Sequence, residues 1–523
     1  MDLIHFNLKQ KIDLQLCTSG TQWKILIRKI HISAVSLIVF FIITGFTAET
    51  EPLQVGAAEV KITPPVGSII GHSYGIAISE GVNDDLYAKI LVFEKDGIQT
   101  VFVACDLISL PHELVLRTRD LVEQQTGIPG THIVMTATHA HAGPQMNPSF
   151  WNAVGGEPKQ KSKEYYSKLP SKIIEGIQLA QEKLQHARVS IGTAKQNSIN
   201  FNRRFLMKDG TFQTNPGRLN PDIVRSAGPI DPDVSVVYFE SLDSQPIATL
   251  VNFALHVAVM GGRHFTADFP GTLSSLLADV KGEEMVTIFT NGTSGNINHN
   301  DVTRSAQFDS RQESVRIGTI LAGDVLRTYP ALRNIEVNSL GIKTRIVELP
   351  VPEVSPGETE WAKDVINRYG SQENPPSFNE VVEAWRIIDL SEIDGGLQSR
   401  HELTTTVPLI NGGGAIESEV QAIVLGKELA LVGFPGDAFV ELGLAIKENS
   451  PFPFTVVSEQ SGNGVLSYVP NRKAFSEGGY EVISARFTPG GGEILVDASV
   501  QMLIDLFPIK WDRDGIDTNN NAD

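Results

Sequence analysis

His139 and His141 stand one residue apart, directly after the apolar run Ile133-Val-Met-Thr-Ala. Side chains alternate along an extended chain, so positions i and i+2 point to the same side and one metal ion could meet both imidazoles. Such pairs also occur as hydrogen-bonding histidines on loops, but strand ends are where ligand-binding residues gather, which favours metal binding or catalysis here. His256 closes a second apolar run, 247–255, and Asp437 follows a third, 429–434, through the turn Pro435-Gly436. Imidazole nitrogens and a carboxylate suit zinc, with one position left open for water. A lone histidine such as His256 is as often a satisfied core residue.

Two further segments carry polar groups that could serve a site. Asn291-Gly-Thr-Ser-Gly-Asn-Ile-Asn-His-Asn-Asp301 follows the apolar run 286–290 and reads either as a site lining or as an Asx-rich turn. Tyr468 and Tyr480 lie on glycine-punctuated stretches; a tyrosine hydroxyl can donate to a developing oxyanion, although most tyrosines simply pack.

The elements that must position these residues are strands and helices mixed throughout the chain. Ile90-Leu-Val-Phe and Gln99-Thr-Val-Phe-Val flank Lys95-Asp96-Gly97, a hairpin signal, and further strands are expected at 133–137, 247–255, 286–290, 422–425, 429–434 and 454–458. Helical spacing follows Pro170 at Ile173, Ile177, Ala180 and Leu184, and recurs at Ile317, Leu321 and Val325. The polar stretches 147–163 and 208–221 read as long loops, functional or mobile. The Pro- and Glu-rich stretch 350–357 is the best boundary candidate, yet the strands after it return to the same core. The expected fold is α/β, mixed β-sheets flanked by helices in a single large catalytic domain with long loops.

The chain has 523 residues, 41% hydrophobic and 20% charged, with a net charge of −18, an ordinary globular balance that would repel a phosphate backbone. Nucleic-acid binding is therefore not expected. Lys24, Arg28 and Lys29 precede the apolar run 32–46, which ends near Thr47-Ala48-Glu49; residues 1–48 read as an export signal or an uncleaved anchor. The expected location is periplasmic, extracellular or membrane-anchored. With Cys17 in that leader, Cys105 has no disulfide partner in the mature chain and reads as a buried small hydrophobe.

Val55-Gly-Ala-Ala-Glu-Val-Lys-Ile-Thr-Pro-Pro, Thr138-His-Ala-His-Ala-Gly-Pro, Ser198-Ile-Asn-Phe-Asn-Arg203, Ala254-Leu-His256, Ala267-Asp268, Pro435-Gly-Asp437 and the stretch from Tyr468 to Tyr480 resemble the neutral/alkaline non-lysosomal ceramidase family. Their order and spacing match from about 54 to about 507, so residues 49–507 are expected to form a ceramidase-like zinc amidase domain. The immunoglobulin-like domain of well-known members is not expected in this chain. The resemblance implies zinc ligation by His139, His256, Asp437 and Tyr468, and catalysis by His141, Arg203 and Tyr480; the division between His139 and His141 comes from the family alone. It further implies hydrolysis of an N-acyl amide by metal-activated water, most readily ceramide to fatty acid and sphingoid base, with another N-acyl lipid or a non-lipid amide as the alternative substrate, transient membrane-surface contact and no obligate protein partner.

Two departures stand out. Asp437 replaces the family's glutamate, and Asn298 stands where a Gly-Asp-x-Ser-Pro-Asn loop would carry its serine, unless the register shifts to Ser294. Other readings fare worse. Gly71-His-Ser-Tyr-Gly75 has the Gly-x-Ser-x-Gly form without the flanking strand and helix of a nucleophile elbow. No Asp-x-His occurs to support a two-metal phosphoesterase. A non-enzymatic surface binder of the same fold would be told apart by metal content and amidase assay. Residues 512–523 resemble a calcium-loop fragment lacking its closing glutamate, and the acidic polar tail 508–523 is expected to be disordered.

Overall fold

The computed structural model describes residues 51–71, 77–305, 309–369, 374–393, 409–410, 414–462 and 466–507. The leader 1–48, the Ser73 motif and the tail 508–523 thus lie outside the described residues. Among the described residues two sheets stack face to face and helices cover both outer faces, the mixed architecture expected from the alternating patterns.

The larger sheet has nine strands, in the order Val286–Asn291, Pro246–Phe253, Asp233–Ser241, Gln185–Lys195, Gln54–Lys61, Tyr87–Lys95, Ile98–Cys105 and Ile133–Ala137, with Arg333–Ile335 paired to Gln185–Lys195. The pair at each end is parallel and the interior pairs are antiparallel. Asp96 and Gly97, both at positive φ, close the expected hairpin as a two-residue turn whose twist suits the flanking strands. The second sheet orders Leu340–Pro350, Ala415–Leu425, Leu429–Gly433 and Phe454–Ser458, with Leu409–Ile410 beside Ala415–Leu425. Its strands on either side of 350–357 pair directly, so no domain boundary falls there.

Leu91, Phe93, Phe102, Val134 and Ile288 of the first sheet meet Ile423, Leu425, Leu431 and Val456 of the second in a common core. Burial of each such side chain stabilises by roughly 1.5–3 kcal/mol before entropy is subtracted. Helices His112–Thr126 and Gly156–Glu182 cover one half of the larger sheet's outer face, and Phe269–Lys281 and Ser310–Thr328 the other. Val440–Asn449 and Gly491–Leu506 cover the second sheet. Pro356–Arg368 and Phe378–Ile393 pack on each other around a small core of their own.

Both expected long loops are structured. Residues 147–163 fall into the helices Pro148–Val154 and Gly156–Glu182, separated at Gly155 with φ 68°. The second runs through Pro170 rather than starting after it. Ser162, Tyr166, Leu169, Ile173, Ile177 and Ala180 form one buried stripe at helical spacing, and packing that stripe on the sheet outweighs the backbone bond that proline removes. In 208–221, Phe212–Thr214 pairs with Arg204–Met207, which also pairs with Ile223–Ser226, in a small three-stranded sheet. Cys105 is buried without a disulfide, and burial pushes its thiol well up from its ordinary value.

Candidate metal and catalytic site

Parallel pairs end at the same edge, and in open α/β sheets that carboxyl edge is where ligands bind. Ile133–Ala137 delivers Thr138, His139 and His141 there, and Pro246–Phe253 delivers His256. Leu429–Gly433 leads to Asp437, and its parallel neighbour Phe454–Ser458 leads to Glu459 and Gln460. His139 has φ 65°, a left-handed conformation that a β-substituted residue adopts at a cost, and Gln460 has φ 56°. Their neighbours hold them there: Ala140 N–H donates to Leu107 O at 3.0 Å, His141 N–H to Val257 O at 3.0 Å, and Ala137 N–H to Gln460 O at 3.2 Å. Asp268 braces the segment after His256. Its carboxylate accepts Val259 N–H and Met260 N–H, both at 2.8 Å, and Phe269 N–H at 2.7 Å.

His139 Nε2 lies 3.0 Å from His256 Nε2 and 3.0 Å from His141 Nε2. The three could hold one metal ion, the ligand atoms all falling within 4.8 Å of one another. His139 donates through Nδ1 to Ile108 O at 2.7 Å, and His256 through Nδ1 to Ser294 O at 3.2 Å. Carbonyl oxygens only accept, so each ring carries a proton on Nδ1 and turns Nε2 inward as the atom that would meet a metal. Burial, and then His139, Arg203 and His141, hold the His256 imidazolium well below its ordinary value, keeping the ring neutral. Two lone pairs facing at this distance repel unless a cation stands between them. Tetrahedral zinc, with bonds of about 2.0–2.1 Å to histidine, sets its ligand atoms roughly 3.3 Å apart, so the donor set fits that ion.

Asp437 Oδ1 is 3.4 Å from His139 Nε2 and accepts a hydrogen bond from the Gln460 amide. Burial raises the Asp437 carboxyl above its ordinary value, with His139 and Arg203 pulling the other way. The Tyr468 ring stacks parallel to His256, centroids 6.4 Å apart, and Tyr480 packs edge-on to Tyr468 at 5.1 Å. The Arg203 guanidinium lies 5.3 Å from the Tyr468 centroid and 5.9 Å from that of Tyr480. Its Nε donates to Glu481 Oε1 at 2.9 Å and another nitrogen to Gly295 O at 2.6 Å. Burial opposes the Arg203 charge, but Tyr468 and Glu481 outweigh it and keep the group protonated.

All seven residues singled out from the sequence therefore meet at one edge, but not in equivalent places. His139, His141, Asp437, Tyr468 and Tyr480 line a cavity of about 180 Å³, together with Ile108, Pro111, Met146 and Leu466. His256 and Arg203 stand behind that lining. The geometry does not itself separate His141 from the other two histidines. The loop 291–301 acts as support: Ser294 Oγ donates to Glu459 at 2.6 Å and Asn298 Nδ2 to Asn215 at 2.7 Å, and neither lines the cavity. Glu459, Gln460 and Glu481 went unread in the sequence. Position was the available signal, since the first two follow a strand that ends beside the one leading to Asp437 and the third is next to Tyr480.

A family model described as neutral/alkaline non-lysosomal ceramidase, N-terminal, matches residues 53–309. That stretch, just under half of the chain, is similar to the N-terminal part of that family. The match takes in His139, His141, Arg203 and His256 and stops before Asp437, Tyr468 and Tyr480. Among curated proteins, the neutral ceramidase of Pseudomonas aeruginosa is 24% identical over 225 residues, 41% of this chain and 31% of that protein. Neutral ceramidase B of Dictyostelium discoideum is 21% identical over 213 residues, 40% of this chain and 29% of that protein. The matched stretch thus spans less than a third of either relative. The crystal structure of the P. aeruginosa neutral ceramidase superposes with a TM-score of 0.65 at 19% identity, covering 87% of this chain and 74% of that one. A ceramidase complexed with C2 gives 0.65 and 19%, covering 87% and 75%. These likenesses reach past the family model and establish a shared fold across most of the chain.

Proposed function

We propose that the protein is a zinc-dependent amidohydrolase that cleaves an N-acyl amide, with ceramide as its substrate and fatty acid and sphingoid base as its products. The observation that carries this reading is the convergence of His139, His141 and His256 on one point, with their Nε2 atoms close together and the outer nitrogens of His139 and His256 fixed on carbonyls. The names of the curated relatives support the choice of ceramide.

His139, His256 and Asp437, with Tyr468 beside them, would hold the ion. When bound, zinc polarises an amide carbonyl and makes water available as a nucleophile near neutral pH. The chain's own groups do the rest. His141, on the cavity wall, passes a proton to the departing amine. Tyr480 donates a hydrogen bond toward the developing oxyanion, and Arg203 keeps a buried positive charge behind both tyrosines, which favours negative charge in the cavity. Ile108, Pro111, Met146 and Leu466 give the cavity an apolar side suited to an acyl or sphingoid chain.

Incubating the purified protein with a panel of N-acyl lipids tests the reading. Release of fatty acid from ceramide ahead of other N-acyl amines supports it, and preference for a non-lipid amide would move the substrate assignment. The basic residues before the apolar run 32–46 further support export, tested by the N-terminus of the mature protein, expected near Glu49. A full-length cytosolic chain would contradict it.

A further inference from the structure

We infer that Glu459 is a positioning residue that holds the segments of His139 and Asp437 in register with the loop that orients His256, an inference that rests on the metal-site reading above. Glu459 is fully buried and does not line the cavity, so it cannot touch substrate. Its Oε1 accepts Ser294 Oγ–H at 2.6 Å, and its Oε2 accepts Ser294 N–H at 2.9 Å and Ala438 N–H at 3.0 Å. Ser294 O in turn accepts the Nδ1–H of His256, and Ala438 directly follows Asp437. The Glu459 carbonyl accepts Thr136 Oγ–H at 2.6 Å, on the strand that delivers His139, and its N–H donates to Asn291 O at 3.0 Å. One residue is therefore bonded to the segments that carry His139 and Asp437 and to the loop whose carbonyl orients His256.

The contacts explain why a glutamate stands there. Three donors converge on its side chain, and a carboxylate offers two acceptor oxygens and no competing hydrogen. Glutamine would keep one oxygen for the two backbone N–H groups but turn its NH₂ toward Ser294 Oγ, whose hydrogen would then have to leave its present acceptor. Alanine would leave two backbone N–H groups and a hydroxyl buried without partners. Either change loosens the carbonyl that fixes the His256 ring and the strand that fixes Asp437. Removal of such outer partners generally lowers metal affinity by about 10–100-fold.

The test is zinc affinity by competition with a chromophoric chelator, measured on the parent protein and on Glu459→Gln, Glu459→Ala and Ser294→Ala, each first checked for native circular dichroism. Glu459→Ala should lose about 10–100-fold and Glu459→Gln about tenfold, while Ser294→Ala, which keeps its N–H and C=O, should stay within about threefold. The Co²⁺-loaded Glu459→Gln protein should also show a visible absorption band displaced from that of the parent, which lowered stability alone would not produce. A folded Glu459→Ala variant that binds zinc like the parent overturns the inference. If the alanine variant does not fold, parent-like affinity and an unchanged cobalt band in Glu459→Gln overturn it. A parent protein that binds no zinc overturns the metal-site reading itself, and this inference with it.

Discussion

The Nε2 atoms of His139 and His256 face each other at 3.0 Å although the two residues lie 117 positions apart in the chain. Each ring is aimed by a main-chain carbonyl, Ile108 O for one and Ser294 O for the other, so the pair is held by backbone that the core has already fixed. That arrangement underlies the expected behaviour of several variants.

Replacing His256 by alanine should remove metal and activity together, because the ligands proposed at His139, Asp437 and Tyr468 would not hold zinc tightly on their own. Elemental analysis of the purified variant beside a ceramide assay checks this. Full metal content with full rate would place the site elsewhere.

His141 and Ser294 separate two chemistries. His141→Ala should lower kcat by roughly 100-fold or more, the scale of a lost general acid or base, and Ser294→Ala should cost only a few-fold. Ser294 Oγ is engaged by Glu459 and by Asn291 Nδ2 at 3.1 Å, away from the cavity lining. A dead Ser294→Ala beside a working His141→Ala would require a serine nucleophile in place of water.

Glu481 is fully buried and joins Arg203, Arg204 and Thr214, at 2.9, 3.1 and 2.7 Å. Removing it leaves two buried guanidinium groups short of a partner. Glu481→Ala should therefore lower stability by about 3–5 kcal/mol in chemical denaturation. It should also depress kcat, since the charge behind Tyr468 and Tyr480 is no longer held in place. An unchanged denaturation midpoint would show that solvent and Glu477, which accepts from Arg204 at 3.2 Å, suffice.

His299 supplies a pH dependence away from the histidine cluster. Burial, reinforced by Arg218 and Arg316 and opposed by Glu313, lowers it to about 4 in the folded chain, against about 6.5 when unfolded. The unfolded chain thus binds a proton first as pH falls, so stability is lost between about pH 6.5 and pH 4. Denaturation of parent and His299→Gln across that range should show a shallower fall for the variant. Parallel curves would mean that His299 does not titrate as described.

The fold was legible where residues state their own geometry. Asp96 and Gly97 announced the hairpin, and the runs at 133–137, 286–290 and 454–458 announced strands to within a residue. It was illegible where packing overrides local preference. Pro170 signals a helix start, yet the buried stripe from Ser162 to Ala180 carries the helix straight through it. The site was legible as strand-end histidines and an aspartate, because a strand end fixes where its next residues stand. The supporting groups were not. Glu459 and Glu481 matter through partners 165 and 278 residues away, at Ser294 and Arg203, a separation that no local spacing records.

As a metal centre, the proposed strand-edge cluster would hydrolyse an acyl amide only with its ion in place. The most direct test is ceramide turnover by one preparation before metal removal, after dialysis against a chelator, and after addition of one equivalent of Zn²⁺. Turnover is expected at first, then its loss with the fold intact, then its recovery at about one zinc per chain. Turnover that survives complete metal removal, or a zinc-loaded protein that cleaves no N-acyl amide, would contradict it.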